Sequence, residues 1–186
     1  MNGYVLIGGH SRRMGRSKVE LFLPRALAAA RLAFDSVYAV QRAGGRTADE
    51  VETIFEPVHD DQAPAFGVLR ALEHAAGRCF IMAVDYPLLT TDVLRYLAER
   101  AEGSRALLVV PRWDDRLQIL CAGYDGAVLG PRLAARIAGG RLDLKGLAAE
   151  VESEVLEEHD LRARFSGEPL RNVNTPEEWA AVVVSD

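Results

Sequence analysis

Short apolar runs alternate with longer segments rich in alanine, leucine and arginine over the first hundred residues of this 186-residue chain. This periodicity predicts strands at 4–7, 36–40, 52–55 and 78–84, and helices at 24–34, 65–76 and 90–102. Regular strand–helix alternation favours a parallel sheet covered by helices, because each helical crossover returns the chain to the same edge. The first half of the chain therefore predicts an α/β fold.

The second half departs from this regular alternation. Strands are predicted at 106–110, 117–124 and 154–156, a polar turn at 112–116, and helices at 127–137 and 175–183. Consecutive strands without an intervening helix extend a parallel sheet into a mixed one. Because no linker interrupts residues 1–186, we predict a single domain with three α/β/α layers and a mostly parallel mixed sheet.

The first predicted strand runs directly into a glycine-rich, basic loop. Residues 6–18 read LIGGHSRRMGRSK. Paired glycines let backbone N–H groups approach a phosphate closely, and Arg12, Arg13 and Lys18 supply positive charge. The spacing matches neither of the common nucleotide-binding glycine motifs. The loop is typical of a phosphate-binding segment, with a basic surface turn as the alternative.

Carboxylates follow two other predicted strands. Asp85 comes directly after the apolar run 79–84, where a carboxylate can hold Mg²⁺, although a turn aspartate before a proline is the simpler alternative. Glu56 follows the strand at 52–55, with Asp60 and Asp61 close behind. Ligands of open α/β sheets bind beyond the carboxyl ends of the strands, so these positions are candidates for a binding site.

Composition narrows the classes of partner. A formal net charge of −5 argues against bulk nucleic-acid binding, and no apolar run approaches the roughly 18 residues of a membrane span. Cys79 and Cys121 lie in apolar runs and predict buried thiols in a reducing compartment, so we expect a cytoplasmic protein. His59, His74 and His159 are dispersed and predict no metal site, whereas His10 lies in the basic loop, where it could contact a ligand.

Four segments together resemble the molybdenum cofactor guanylyltransferases, a branch of the sugar-nucleotidyltransferase-like superfamily. Residues 6–18 are similar to the family's opening loop, LAGGxSxRMGxDK, and residues 172–178, NVNTPEE, to its ending. Two weaker matches lie between them: APAFG at 63–67, and DYP at 85–87. The resemblance implies a Rossmann-like nucleotidyltransferase fold, the one shared by nucleotide-diphospho-sugar transferases.

The resemblance also implies a reaction and a set of site residues. GTP and the molybdopterin-bound molybdenum cofactor would give the guanine dinucleotide cofactor and pyrophosphate, with Mg²⁺ as the metal. Asp85 would hold the metal, and Lys18, Arg13 and Asp85 would be catalytic. The nucleotide would be bound by Leu6, Ile7, Gly8, Gly9, Lys18, Gln41, Glu56 and Asp85, with Asp60 or Asp61 as the alternative to Glu56 if the loop is shifted. Other cofactor-biosynthesis proteins or recipient molybdoenzymes are the implied further partners.

Four departures from the family pattern surround the expected nucleotide. Ile7 replaces a small alanine and would narrow the base pocket, Ser17 replaces an acidic residue, and Glu56 replaces an aspartate. Where the family often has an asparagine after the second strand, this chain has Gln41. Three alternatives stay open: a cytidylyltransferase of the same cofactor, another small nucleotidyltransferase, and a non-catalytic nucleotide-binding relative in cofactor delivery.

Overall fold

An eight-stranded sheet with helices on both faces organises the chain in a computed structural model. The structure describes residues 1–7, 18–45, 50–61, 63–173, 175 and 178–180, with the backbone alone at 18 and 19. The strands are β1 Asn2–Leu6, β2 Val37–Gln41, β3 Glu52–Phe55, β4 Arg78–Ala83, β5 Leu108–Trp113, β6 Arg116–Leu117, β7 Cys121–Asp125 and β8 Ser153–Leu156. The helices are α1 Lys18–Arg31, α2 Pro64–Ala75, α3 Thr91–Gly103, α4 Gly126–Ala138, α5 Leu144–Ala149 and α6 Glu158–Arg164.

The strand order is β3-β2-β1-β4-β7-β5-β6, with β8 paired to β5. β1 pairs in parallel with β2 and β4, and β2 pairs in parallel with β3. β7 runs antiparallel to both β4 and β5, whereas β8 is parallel to β5. The mixed, mostly parallel sheet expected from the sequence is confirmed.

Two apolar cores flank the sheet, as a three-layer architecture requires. On one face, strand residues such as Val5 and Met82 meet α1, α3 and α6. On the other face, Tyr4 and Ile81 meet α2, α4 and α5. Adjacent residues of one strand enter opposite cores because side chains alternate across a pleated sheet. The nearly uninterrupted apolar sequence of β4 follows from this burial on both faces.

Helix caps set several element boundaries. Thr90 caps α3 by accepting a hydrogen bond from the backbone N–H of Val93 at 3.4 Å. Thr91 and Asp92 are the first two helical residues, so the N-cap position falls on Thr90, which the sequence places inside the predicted helix. Thr175 and Glu178 exchange the two hydrogen bonds of a capping box, as the sequence predicts.

Three sequence-based boundaries are wrong. α1 begins at Lys18 and carries Pro24 in its interior, because Phe22 and Leu23 are buried and extend the apolar face beyond the proline. The predicted strand 117–124 is broken by a turn in which the Cys121 N–H bonds the Gln118 carbonyl at 2.8 Å. The helix predicted at 127–137 extends to Gly126–Ala138, whereas the strand predicted at 154–156 is confirmed as β8.

Candidate functional site

The carboxyl ends of four adjacent strands form the edge on which the site residues lie. The Ile7 N–H bonds the Val40 carbonyl at 2.9 Å, and the Val84 N–H bonds the Leu6 carbonyl at 3.2 Å. These bonds align the last residues of β1 with those of β2 and β4. Four candidate residues therefore lie at neighbouring strand ends. Their order across the sheet is Glu56, Gln41, Ile7 and Asp85. Neighbouring strands are about 4.8 Å apart, so Glu56 and Asp85 are separated by roughly 14 Å, three strand spacings.

Glu56 is positioned by the end of β3 and the first turns of α2. Its backbone N–H bonds the Gln41 carbonyl at 2.9 Å, and its side chain is only 10% exposed. A Cβ placed on Gly67 would come within 2.9 Å of Glu56 Oε1, so glycine is required there for this carboxylate position. The carboxylate lies beside the amino end of α2, where the helix dipole stabilises negative charge.

His59 contacts the same carboxylate. Its Nε2 is 3.1 Å from Glu56 Oε2, and its Nδ1 is 2.6 Å from the Asp61 carbonyl oxygen. The imidazole ring stacks on Phe66 with ring centroids 3.5 Å apart and planes 19° apart. Arg42 donates from Nη2 to the His59 carbonyl at 2.7 Å. The histidine is therefore fixed by contacts on its ring and its backbone.

Leu6 and Ile7 contribute mainly backbone to this edge. Leu6 is 7% exposed and Ile7 is 3% exposed, and they enter opposite cores. The Ile7 side chain packs on the α1 side of the sheet, and its effect on a base pocket stays a prediction. A β-branched residue at this position fits because its bulk fills the core.

The Gln41 side chain folds back over its own loop. Its Oε1 accepts the backbone N–H of Arg42 at 2.8 Å, and a Cβ on Gly45 would clash with its amide group at 2.5 Å. Gln41 lies at the end of β2, between the strand ends that carry Glu56 and Ile7. Gln41 thus lies at the same sheet edge as the other candidate residues, and its contact with a nucleotide stays a prediction.

Asp85 is half-buried in the turn after β4 and is braced by the residues around it. Its carbonyl accepts the Val173 N–H at 3.0 Å, which brings the 171–173 segment to this turn. The neighbouring Tyr86 is 4% exposed, and its hydroxyl donates to Gln118 Oε1 at 3.1 Å. Burial raises the pKa of Tyr86, with a hydrogen bond from Asn172 acting in the opposite direction. Asp85 is thereby tied to the β6–β7 turn and to the C-terminal segment.

The Asp85 carboxylate has the donor chemistry of a hard divalent cation. Among the residues that the structure describes, no group of three or more histidine, cysteine or acidic side chains gathers into a metal cage. A single carboxylate with the other positions left to phosphate and water suits Mg²⁺, which keeps several waters and binds through substrate phosphates. The residues at this turn fit the expected metal in that limited role.

The opening loop cannot be placed in the same way. Gly8, Gly9 and Arg13 lie outside the described residues, and so does the side chain of Lys18. The backbone of Lys18 is the first residue of α1, directly after the segment that leaves the end of β1. The assignment of these four residues to a nucleotide therefore stays a prediction.

The family is decided by a match over most of the chain. Residues 3–154 match the family model of the MobA-like NTP transferase domain. The chain belongs to this family. It is therefore a nucleotidyltransferase, and the sequence resemblance to this group is confirmed.

Relatives of this MobA-like chain cover nearly its whole length. A probable molybdenum cofactor guanylyltransferase from Mycobacterium avium is 34% identical over 196 residues, covering 97% of this chain and 93% of the relative. The crystal structure of molybdopterin-guanine dinucleotide biosynthesis protein A from Archaeoglobus fulgidus superposes with a TM-score of 0.83 at 23% identity, covering 100% of this chain and 99% of that chain. A Mycobacterium tuberculosis protein crystallised in complex with manganese has a TM-score of 0.63 at 17% identity, with coverage of 100% and 98%. The two structures show the same fold.

Three described residues that contact the candidate residues or their neighbours were not predicted from the sequence. His59 was counted only among dispersed histidines, although its i,i+3 spacing from Glu56 was a usable signal. Phe66 was noted only as part of the weak APAFG match, and Gln118 was placed inside a strand. Their roles depend on loop conformations that bring α2 and the β6–β7 turn to the carboxyl edge.

Among the described helices, none combines the length and apolar character that a membrane span requires.

Proposed function

We propose that this MobA-like nucleotidyltransferase transfers GMP from GTP to the molybdopterin-bound molybdenum cofactor and releases pyrophosphate. The observation that carries the proposal is the placement of Glu56, Ile7 and Asp85 at one carboxyl edge, in a chain 34% identical to a probable molybdenum cofactor guanylyltransferase. The substrates are then GTP and the molybdopterin cofactor. The further partners expected from the sequence, recipient molybdoenzymes among them, belong to the same proposal.

The strand order supports one orientation for the nucleotide. The basic loop leaves β1 beside β4, so the triphosphate is proposed to lie between Lys18, Arg13 and Asp85. Glu56 follows β3, two strand spacings or about 10 Å from β1, and so is proposed to meet the nucleoside end. Gly8, Gly9, Leu6 and Ile7 would present backbone groups between these ends.

Nucleotidyl transfer places modest demands on the protein. A phosphate oxygen of the acceptor forms a new bond to the α-phosphorus of GTP, while the bond from that phosphorus to the β-phosphate oxygen breaks and pyrophosphate leaves. The protein must hold the two anions in line and neutralise the charge that develops in the transition state. Lys18 and Arg13 would supply that charge, and the backbone N–H groups of the loop would orient the phosphates.

Asp85 is proposed to hold a divalent cation, which would supply charge neutralisation on the phosphate oxygens when bound. The manganese complex of the structurally similar M. tuberculosis protein supports a divalent metal in this fold. The choice of Mg²⁺ rests on the single carboxylate at this turn. The Asp85 carbonyl bond to Val173 and the Tyr86 bond to Gln118 would keep the carboxylate in place as the anions align.

Calorimetric titration of the full chain with Mg²⁺–GTP and with Mg²⁺–CTP tests the proposal, followed by a pyrophosphate-release assay with molybdenum cofactor. We expect GTP to bind more tightly and to release pyrophosphate only when the cofactor is present. A preference for CTP would favour a cytidylyltransferase. Tight GTP binding without pyrophosphate release would favour a non-catalytic role in cofactor delivery.

A further inference from the structure

His59 faces two oxygens that only accept hydrogen bonds. A carboxylate oxygen and a carbonyl oxygen are the partners of Nε2 and Nδ1. Toward Glu56, the ring can therefore act only as a donor, from Nε2–H to the carboxylate. Such a bond to a charged acceptor is stronger than one between neutral groups.

The surroundings leave this pair little freedom to rearrange. The His59 and Glu56 side chains are 14% and 10% exposed, so bulk water screens the pair weakly. The ring is fixed on Phe66, and the His59 carbonyl is fixed by Arg42. The other charged groups near the ring are the exposed Asp60 and Asp61, whose backbone the ring also contacts. His59 thus holds one oxygen of Glu56, and Gly67 leaves room for the other.

We propose that His59 is a positioning residue that fixes the Glu56 carboxylate for the nucleobase of the substrate, an inference that rests on the proposed function. Glutamate is one methylene longer than the aspartate expected at this position and has one more rotatable bond. The bond to His59 restrains that added freedom. A fixed carboxylate selects a base that presents N–H donors, because it can only accept hydrogen bonds. Guanine offers two adjacent N–H groups, whereas cytosine offers one amino group beside an acceptor nitrogen.

Two substitutions of His59 separate this role from packing, because the two new side chains have nearly the same size and shape as each other. His59→Gln keeps an N–H donor for Glu56, whereas His59→Glu replaces that donor with a second carboxylate. We expect GTP dissociation constants within about threefold of wild type for His59→Gln, and raised by tenfold or more for His59→Glu. The KM for GTP should follow the dissociation constant while kcat changes little, because Glu56 lies roughly 14 Å from Asp85.

The coupling of the two residues is measured in a Glu56→Gln background. If His59 acts through Glu56, the difference in GTP affinity between His59→Gln and His59→Glu shrinks severalfold there, because the repelling carboxylate is gone. Thermal unfolding of each variant reports stability separately from affinity. If His59→Glu does not fold, His59→Phe serves in its place, since it keeps a ring over Phe66 and loses both donors.

The outcomes distinguish this inference from the function on which it rests. Equal GTP affinity for His59→Gln and His59→Glu, alongside weakened binding by Glu56→Gln, would overturn the role of His59 and leave the proposed function standing. An undiminished difference in the Glu56→Gln background would also overturn it. A wild-type protein that binds neither GTP nor CTP would instead overturn the proposed function.

Discussion

The parallel half of the sheet and its antiparallel extension hold polar side chains in different ways. At the ends of β3 and β4, the largely buried Glu56 and the half-buried Asp85 lie on loops, and each is braced by a few specific contacts. In the extension, Arg162 lies 4.1 Å from the Trp113 ring and also bonds Glu158 and Glu168 on an exposed face. In the first arrangement each residue depends on a small set of contacts, and the second is a redundant surface network.

The two regions should therefore respond differently to substitution. A carboxylate held by one histidine and one glycine is sensitive to any change in those neighbours. A cation bonded to several carboxylates retains partners when one is removed. Gln118 links the regions, since its Nε2 donates to the Trp113 carbonyl at 2.9 Å and its Oε1 accepts from Tyr86. We therefore expect substitutions to reduce turnover most at Asp85, less at the Tyr86–Gln118 contact, and not at all around Arg162.

The largest effect is expected at Asp85. Asp85→Asn removes the charge proposed to hold the divalent cation, and turnover should fall by about 10²–10³-fold, as when one transition-state stabiliser is removed. Pyrophosphate release measures this loss. Asp92→Asn, in the first turn of α3 with its side chain 84% exposed, is the matched control and should retain wild-type turnover. Equal turnover in both variants would place the metal elsewhere.

Gly67 gives the next largest effect. Gly67→Ala puts a Cβ 2.9 Å from Glu56 Oε1, so the carboxylate must move and GTP affinity should fall about tenfold. Alanine also has a higher helix propensity than glycine by about 1 kcal/mol, so thermal stability should not fall. Gly130→Ala in α4 is the control, because its Cβ meets only Leu72 Cβ at an ordinary 3.7 Å. Unchanged GTP binding by Gly67→Ala would show that the Glu56 position is unimportant.

A smaller effect is expected where the two regions meet. Tyr86→Phe removes the hydroxyl that bonds Gln118, at a cost of about 1 kcal/mol of unfolding free energy, and should lower turnover severalfold by loosening the Asp85 turn. Tyr4→Phe loses a comparable bond, from the hydroxyl to His74 Nδ1 at 2.9 Å, away from Asp85. Denaturant unfolding and pyrophosphate release should show similar stability losses but reduced turnover for Tyr86→Phe alone.

The smallest effect is expected in the surface network. Hydrogen bonding to Arg162 lowers the pKa of Glu168, so its contribution to stability is present above the unfolded glutamate pKa and is lost as pH falls through the lower folded value. Glu168→Gln should lower the thermal midpoint by a few degrees at most at neutral pH. That difference should vanish in acid, with turnover unchanged. A pH series of melting curves measures it, and a difference that persists in acid would contradict the charge-based account.

Much of the fold was predictable because its signals are local. β4 reads as an apolar run since both of its faces are buried, and the strands at 52–55 and 78–83 agree with their predicted positions. α1 was not predictable from Pro24, because burial of Phe22 and Leu23 extends the helix through the proline. The break in the predicted strand after Leu117 was not predictable from the sequence either. That turn is set by pairing with Pro111, whose carbonyl accepts the Gln118 N–H at 2.8 Å.

The candidate site likewise contains residues that local sequence signals predict and residues that they do not. Asp85 and Glu56 could be predicted as candidates because each follows a strand, and parallel strands end at a common edge. His59 and Gln118 were missed because an imidazole or an amide acquires a role only from the groups that the loops bring to it. Strand alternation places the side chain of Ile7 in the α1-side core, and its relation to the base stays a prediction.

The sequence by itself determined that this is an α/β nucleotidyltransferase of the MobA-like family, since strand periodicity and strand-end motifs are short-range properties of the chain. Only the tertiary structure decided how its carboxylates are held. Glu56 is fixed between His59 and Gly67, and Asp85 is braced through Tyr86 and Val173. These contacts join residues on different elements, and hydrogen-bond geometry of a few ångströms arises only when packing has set those elements in place.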